Sequence, residues 1–153
     1  MKTVQRIVPV IFLITVLFAC KKSKDTNTST DIIGSWELAE TSAAMIPVIT
    51  YPTGNGDFLV ITDSTYAYYG ARNLVKSGTY TIIDDATVEQ NVCLVIPDDQ
   101  FTRRIVFDNN YSTPKVFVDI RDGKLSFISD CYALDAGHKS VYRHIDHIDG
   151  IGN

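Results

Sequence analysis

Lys115-Val116-Phe117-Val118-Asp119-Ile120-Arg121-Asp122-Gly123-Lys124-Leu125-Ser126-Phe127-Ile128 decides the fold class. Two short runs rich in Val, Ile and Phe flank Arg121-Asp122-Gly123. Strand formers fill the runs and turn formers fill the gap. Gly123 adopts a positive φ without steric cost, so the stretch predicts two antiparallel strands, Lys115–Ile120 and Lys124–Ile128, joined by a hairpin.

The same grammar recurs on both sides. Further runs predict strands at Gly34–Thr41, Phe58–Thr62, Thr65–Gly70, Val75–Ile83, Val92–Ile96, Thr102–Phe107 and Lys139–Ile145. Asp63-Ser64 makes a second tight turn, and Asp84-Asp85 and Asn109-Asn110 with Pro114 mark further breaks. Pro47, Pro52, Gly54 and Gly56 make Met45–Gly56 a loop or a short irregular excursion. Glu occurs only as Glu37, Glu40 and Glu89, and no segment after residue 20 carries a sustained helical stripe. Phe58–Ile61 and Val92–Ile96 are apolar on both faces. That pattern fits a barrel strand covered outside by a loop or helix, and it fits a sandwich strand equally. Closure removes the open edges of a long meander, so the expected fold is an all-β, antiparallel up-and-down barrel of about eight strands. It occupies residues 31–147, with 148–153 as a tail.

The first 20 residues have a different character. Lys2 and Arg6 precede an apolar run from Ile7 to Phe18, and Ala19 precedes Cys20. The run suits the core of an export signal and is shorter than the roughly 20 residues a bilayer span requires. Leu17-Phe18-Ala19-Cys20 resembles the lipobox of bacterial lipoproteins. The resemblance implies a signal peptide over residues 1–19, cleavage before Cys20, and acyl chains on that cysteine. Two or three chains hold a protein at a membrane surface far more firmly than one. Lys21 to Asp31 contains no apolar residue, so 20–30 is read as a lipidated N-terminus and flexible tether.

Without residues 1–19 the chain keeps 12 of its 14 Lys and Arg against 18 Asp and Glu, a formal charge of −6. Nucleic-acid binding, which needs a basic footprint, is excluded on that ground.

Ile33-Gly34-Ser35-Trp36-Glu37-Leu38 opens the domain, Phe58-Leu59-Val60-Ile61 and Ser77-Gly78-Thr79-Tyr80 follow, and Ser140-Val141-Tyr142-Arg143-His144-Ile145 closes it. This ordered set resembles the lipocalin-like lipoprotein domains of Gram-negative Bacteroidetes. The resemblance implies a cell-envelope lipoprotein, with the outer membrane as the expected location. It also implies that Trp36 closes one end of the barrel with Arg143 packed across it, a guanidinium–indole contact of about 0.5–2 kcal/mol.

Few residues promise chemistry. Cys93 and Cys131 are a candidate disulfide in an oxidising compartment, the alternative being that Cys93 is a buried small hydrophobe. His144 and His147, near Asp146 and Asp149, lack a third strong metal ligand at fixed spacing, so no metal or cofactor is expected. Asp84-Asp85 and Asp98-Asp99 sit at turns, and no nucleophile elbow or phosphate loop is present, so no catalytic residue is expected. Phe58, Tyr66, Tyr68, Tyr80, Phe117, Phe127 and Tyr142 are candidates to line a ligand cavity. Two functions remain open at this stage. One is a binding protein for a small hydrophobic or amphipathic ligand. The other is a filled scaffold contacting a protein or glycan through loops such as Met45–Gly56 and Ala133–His138.

Overall fold

The structure, a computed structural model, describes residues 32–112 and 114–148. The signal segment, Cys20, the tether and residues 149–153 of the tail lie outside the described residues. Among the described residues, nine antiparallel strands form one sheet. They are β1 (Gly34–Ala43), β2 (Ile46–Thr50), β3 (Phe58–Ile61), β4 (Thr65–Gly70), β5 (Asn73–Asp84), β6 (Arg103–Phe107), β7 (Val116–Arg121), β8 (Lys124–Ser129) and β9 (His138–Ile145). A short helix, α1 (Val88–Val92), interrupts them. β1 pairs with β9 as well as β3, so β1 and β3–β9 close into an eight-stranded up-and-down barrel.

The turns explain the register. Arg121 pairs with Lys124 around Asp122 and Gly123, both at positive φ, the two-residue turn whose twist matches its strands. Thr62 and Thr65 close the turn at Asp63-Ser64. The barrel floor is the end where β1 begins beside Ile61 and Ile145. The mouth is the opposite end, ringed by the β4–β5, β6–β7 and β8–β9 turns. β1 outgrows β3 there: Gly34–Glu37 pairs with β3, and Glu40–Ala43 pairs with β2 on that side while still pairing with β9 on the other. The β1–β2 hairpin therefore raises one side of the mouth as a flap, and β2 has no second strand partner among the described residues.

Two expectations need correction. Met45–Gly56 is not all loop, because Ile46–Thr50 is β2. Pro47 is tolerated there because β2 is an edge strand. Val92–Ile96 is not a strand. Val92 ends α1 and Cys93 takes a left-handed conformation that turns the chain. A short apolar run fits a strand or a buried helical segment equally, and here tertiary packing decides. The connection it belongs to covers the wall from outside: Val88, Val92 and Phe101 bury Phe117 and Ile128 on the outer face, while Leu94 and Val95 stay exposed.

Asp85 pins this cover to the barrel. Its carboxylate accepts from the Thr87 amide and hydroxyl and meets Lys115 Nζ at 2.9 Å and Arg104 Nε at 3.3 Å. Burial works to raise its pKa, but Lys115 and Thr87 outweigh burial and hold it down to about 2. A carboxyl depressed in the folded state stabilises fully above its unfolded value and loses that contribution as pH falls through the folded one. Stability from Asp85 is therefore present above about pH 4 and lost between about pH 4 and 2, roughly 1–2 kcal/mol after allowing for solvent around the cluster. Urea titrations across that window are expected to show this slope in the wild type and a smaller one in Asp85→Asn. Equal slopes would rule the assignment out.

Candidate ligand-binding site

Inside the barrel the lower half is solid. Ile32, Trp36, Leu59, Ile61, Tyr66, Tyr80, Ile105, Val118 and Leu125 form its packed core. The floor is sealed locally. The Trp36 indole donates to the Ile32 carbonyl at 2.8 Å, and the His144 ring meets the indole edge-on at 5.2 Å between centroids. Gly34 is required there: its φ is +147°, and a Cβ would come within 3.1 Å of His144 Nε2.

Arg143 does not pack across Trp36. In the β1–β9 register Trp36 faces His144 and Glu37 faces Arg143, so the arginine lies on the other side of the wall. Alternation along a strand makes this an all-or-nothing difference. On that outer side Glu37, only 1% exposed, meets Arg143 Nε at 3.1 Å and accepts from the Gly54 and Asn55 amides at 2.6 and 3.1 Å. Arg143 also donates to the Leu38 and Tyr51 carbonyls. The pair fastens the loop after β2 to the barrel. The sequence signal for it was Glu37, one of only three glutamates and set in an apolar strand.

The upper half is hollow. A cavity of about 570 Å³ opens at the mouth. Its apolar depth is made by Leu38, Tyr68, Phe107, Val116, Phe127 and Tyr142, packed on or within the solid core. Nearer the opening lie Asp57, Lys76, Ser129, His138 and Ser140. Burial pushes the Tyr68 hydroxyl far above the ordinary phenol range, and burial likewise raises Tyr142. Both present neutral hydroxyls at any physiological pH. The chamber therefore combines aromatic and aliphatic walls with a few polar groups, as small-molecule sites do.

Of the seven proposed lining residues, Phe58, Tyr68, Phe127 and Tyr142 line the cavity. Tyr66 and Tyr80 belong to the packed core below it. Tyr66 sends its hydroxyl to Asp108 at 2.8 Å, and Tyr80 to the Thr62 carbonyl at 2.7 Å. Phe117 is corrected outright: it is fully buried, but under α1 on the outside of the barrel. Lys76 and His138 were missed, because nothing in a linear strand pattern says which polar residues meet at a barrel mouth.

The wall is uneven at the mouth. β5 first pairs with β6 at Tyr80–Phe107, so Asn73–Gly78 rises without a strand partner on that side. Asp108 covers the gap, accepting from the Thr79 amide at 3.1 Å and meeting Lys76 Nζ at 3.3 Å. Gly78 makes room, since a Cβ there would overlap the Asp108 carboxylate. The Tyr66 hydroxyl bond, ahead of Lys76 and the Thr79 amide, lowers the Asp108 pKa.

Cys93 and Cys131 are joined by a disulfide that ties the end of α1 to the chain leaving β8. Cys93 is not a buried hydrophobe; it is exposed at the helix end. Among the described residues no cluster of three or more His, Cys, Asp or Glu could hold a metal ion, and no helix is long and apolar enough to cross a membrane. Asp149 lies outside the described residues.

No family model matches the chain, and no curated protein or solved structure matches it.

Proposed function

We propose that the protein is a lipid-anchored lipoprotein of the Gram-negative cell envelope, at the outer membrane, whose barrel takes a small hydrophobic or amphipathic ligand. The observation that carries this reading is the cavity of about 570 Å³ at the barrel mouth. Its volume falls within the roughly 300–1,000 Å³ of small-molecule sites. A filled scaffold would have continued the packed core to the mouth. An apolar tail fits against Phe107, Phe127 and Leu38, and a polar head fits among Lys76, His138 and Ser140. The anchor rests on the lipobox-like Leu17-Phe18-Ala19-Cys20.

Ser140 tests the reading, because it lies on the cavity wall and a Phe there would occupy the chamber. The full-length wild type is expected to carry an amphiphile visible by native mass spectrometry and to bind a fluorescent fatty-acid analogue. Ser140→Phe should weaken that binding at least about tenfold, the loss of about 1.4 kcal/mol or more, with little change in melting temperature. Equal binding by both proteins, or none by the wild type, would overturn the proposal.

A further inference from the structure

The large exposed apolar side chains gather around the mouth. The flap carries Met45, Ile46, Val48 and Ile49, each about half to three-quarters exposed. The next turns add Leu74 and Val75, then Tyr111, then Leu134. The disulfide holds Cys93 beside Cys131, which places Leu94 and the almost wholly exposed Val95 on the same flank. These turns are fastened to their neighbours. Ala44 N donates to the Gly137 carbonyl across flap and β8–β9 loop, and Arg72 N donates to Gly56. Val75 belongs both to this rim and to the cavity wall.

We infer that this rim docks on a lipid bilayer, with the cavity mouth facing the acyl chains. The inference rests on the ligand reading above and names the surface from which the cavity is filled. Three observations favour a bilayer over a protein. The rim is almost purely aliphatic, whereas protein hot spots favour Trp, Tyr and Arg and are poor in Leu and Val. The apolar groups sit on separate protruding turns, as suits insertion among lipids, and Arg72, Lys76 and Lys139 between them largely offset the acids Asp57, Asp108, Asp130 and Asp135 of the same end. The opposite end carries the acids Asp63, Asp98, Asp99, Asp122 and Asp146 against the cations Arg121 and Lys124, a net negative charge that an anionic membrane repels.

Chain length permits this orientation. The described chain starts at the floor, and residues 21–31 extend at most roughly 36–40 Å. The ten residues of β1 span about 25 Å of barrel height when tilted as barrel strands are. An anchor at Cys20 can therefore share one membrane with the mouth.

Tryptophan quenching tests the inference in the full chain. Trp36 is the single native tryptophan, buried at the floor, and serves as constant background. Val48→Trp and Leu74→Trp report the rim, and Ser64→Trp, at the exposed β3–β4 turn, reports the floor. Each protein is bound to vesicles of phosphatidylethanolamine and phosphatidylglycerol with brominated or ordinary acyl chains. Bromine is expected to cut the added emission of both rim tryptophans at least about twofold and to leave the floor tryptophan unchanged, since inserted side chains reach the head-group and acyl boundary. Unquenched rim tryptophans, or a floor tryptophan quenched equally, would overturn the inference. So would a rim emission that shifts to the blue with protein concentration in the absence of vesicles, because a second copy would then cover the rim. Ser140→Phe in the Val48→Trp background separates the two readings: docking survives a blocked or ligand-free cavity, so quenching should persist whether or not a ligand binds.

Discussion

Glu37→Ala is expected to lower stability by about 3 kcal/mol, the low end of the usual cost of stranding one member of a buried ion pair, because the Arg143 side chain left behind is 30% exposed. The loss has three parts. Arg143 keeps its bonds to the Leu38 and Tyr51 carbonyls but loses its counter-charge. The Gly54 and Asn55 amides lose their acceptor. The loop they belong to then loosens from β1. For a domain of this size the melting temperature should fall by about 10–20 °C. Glu37→Gln should fall between, because its amide oxygen still accepts from Gly54 while the charge is gone. Glu40 is the control: its pairing with Lys124, at 3.6 Å, is between half-exposed side chains. Glu40→Ala should cost less than about 1 kcal/mol. Thermal melts of the three variants check this, and a Glu37→Ala no weaker than Glu40→Ala would refute the role of the pair.

The second large effect concerns the covalent tie outside the barrel. The Cys93–Cys131 bridge spans 38 residues, which in the chain-entropy model contributes about 3–4 kcal/mol. Replacing both cysteines by Ser should remove that amount. The loss should also be uneven. Hydrogen exchange should quicken mainly in residues 85–102 and at the outer faces of β7 and β8, because Phe117 and Ile128 lose a fixed cover. The interior, held by its own packing, should still bind the fatty-acid analogue. Two titratable thiols in the oxidised protein, or a double variant as stable as the wild type, would contradict this.

Much of the barrel was legible in the chain. Asp63-Ser64 and Asp122-Gly123 are strong local turn signals, and the strands beside them fall where the pattern places them. Local chemistry suffices there. It failed where a residue's neighbours are distant. Val92–Ile96 is apolar enough for a strand, but its five residues fit a helical cover as well, and only the exposed backs of β7 and β8 choose between them. Phe117 stands on a strand apolar on both faces, so alternation separates two faces without saying which is inside. Arg143 missed Trp36 by one residue of register. The cavity was the least legible, because its residues come from all eight barrel strands or their ends and meet only after closure.

That closure has a consequence in time. Around the barrel each strand from β4 to β9 meets its immediate predecessor in the chain and β3 meets β1, but the β1–β9 seam joins residues as far apart as Ser35 and Ile145, 110 positions along the sequence. Hairpins form within microseconds, while a seam of this span must first overcome the entropy of closing nearly the whole domain into a loop. Any state in which that seam is open leaves two strand edges bare, so the protein is most exposed to mispairing while β9 has not reached β1.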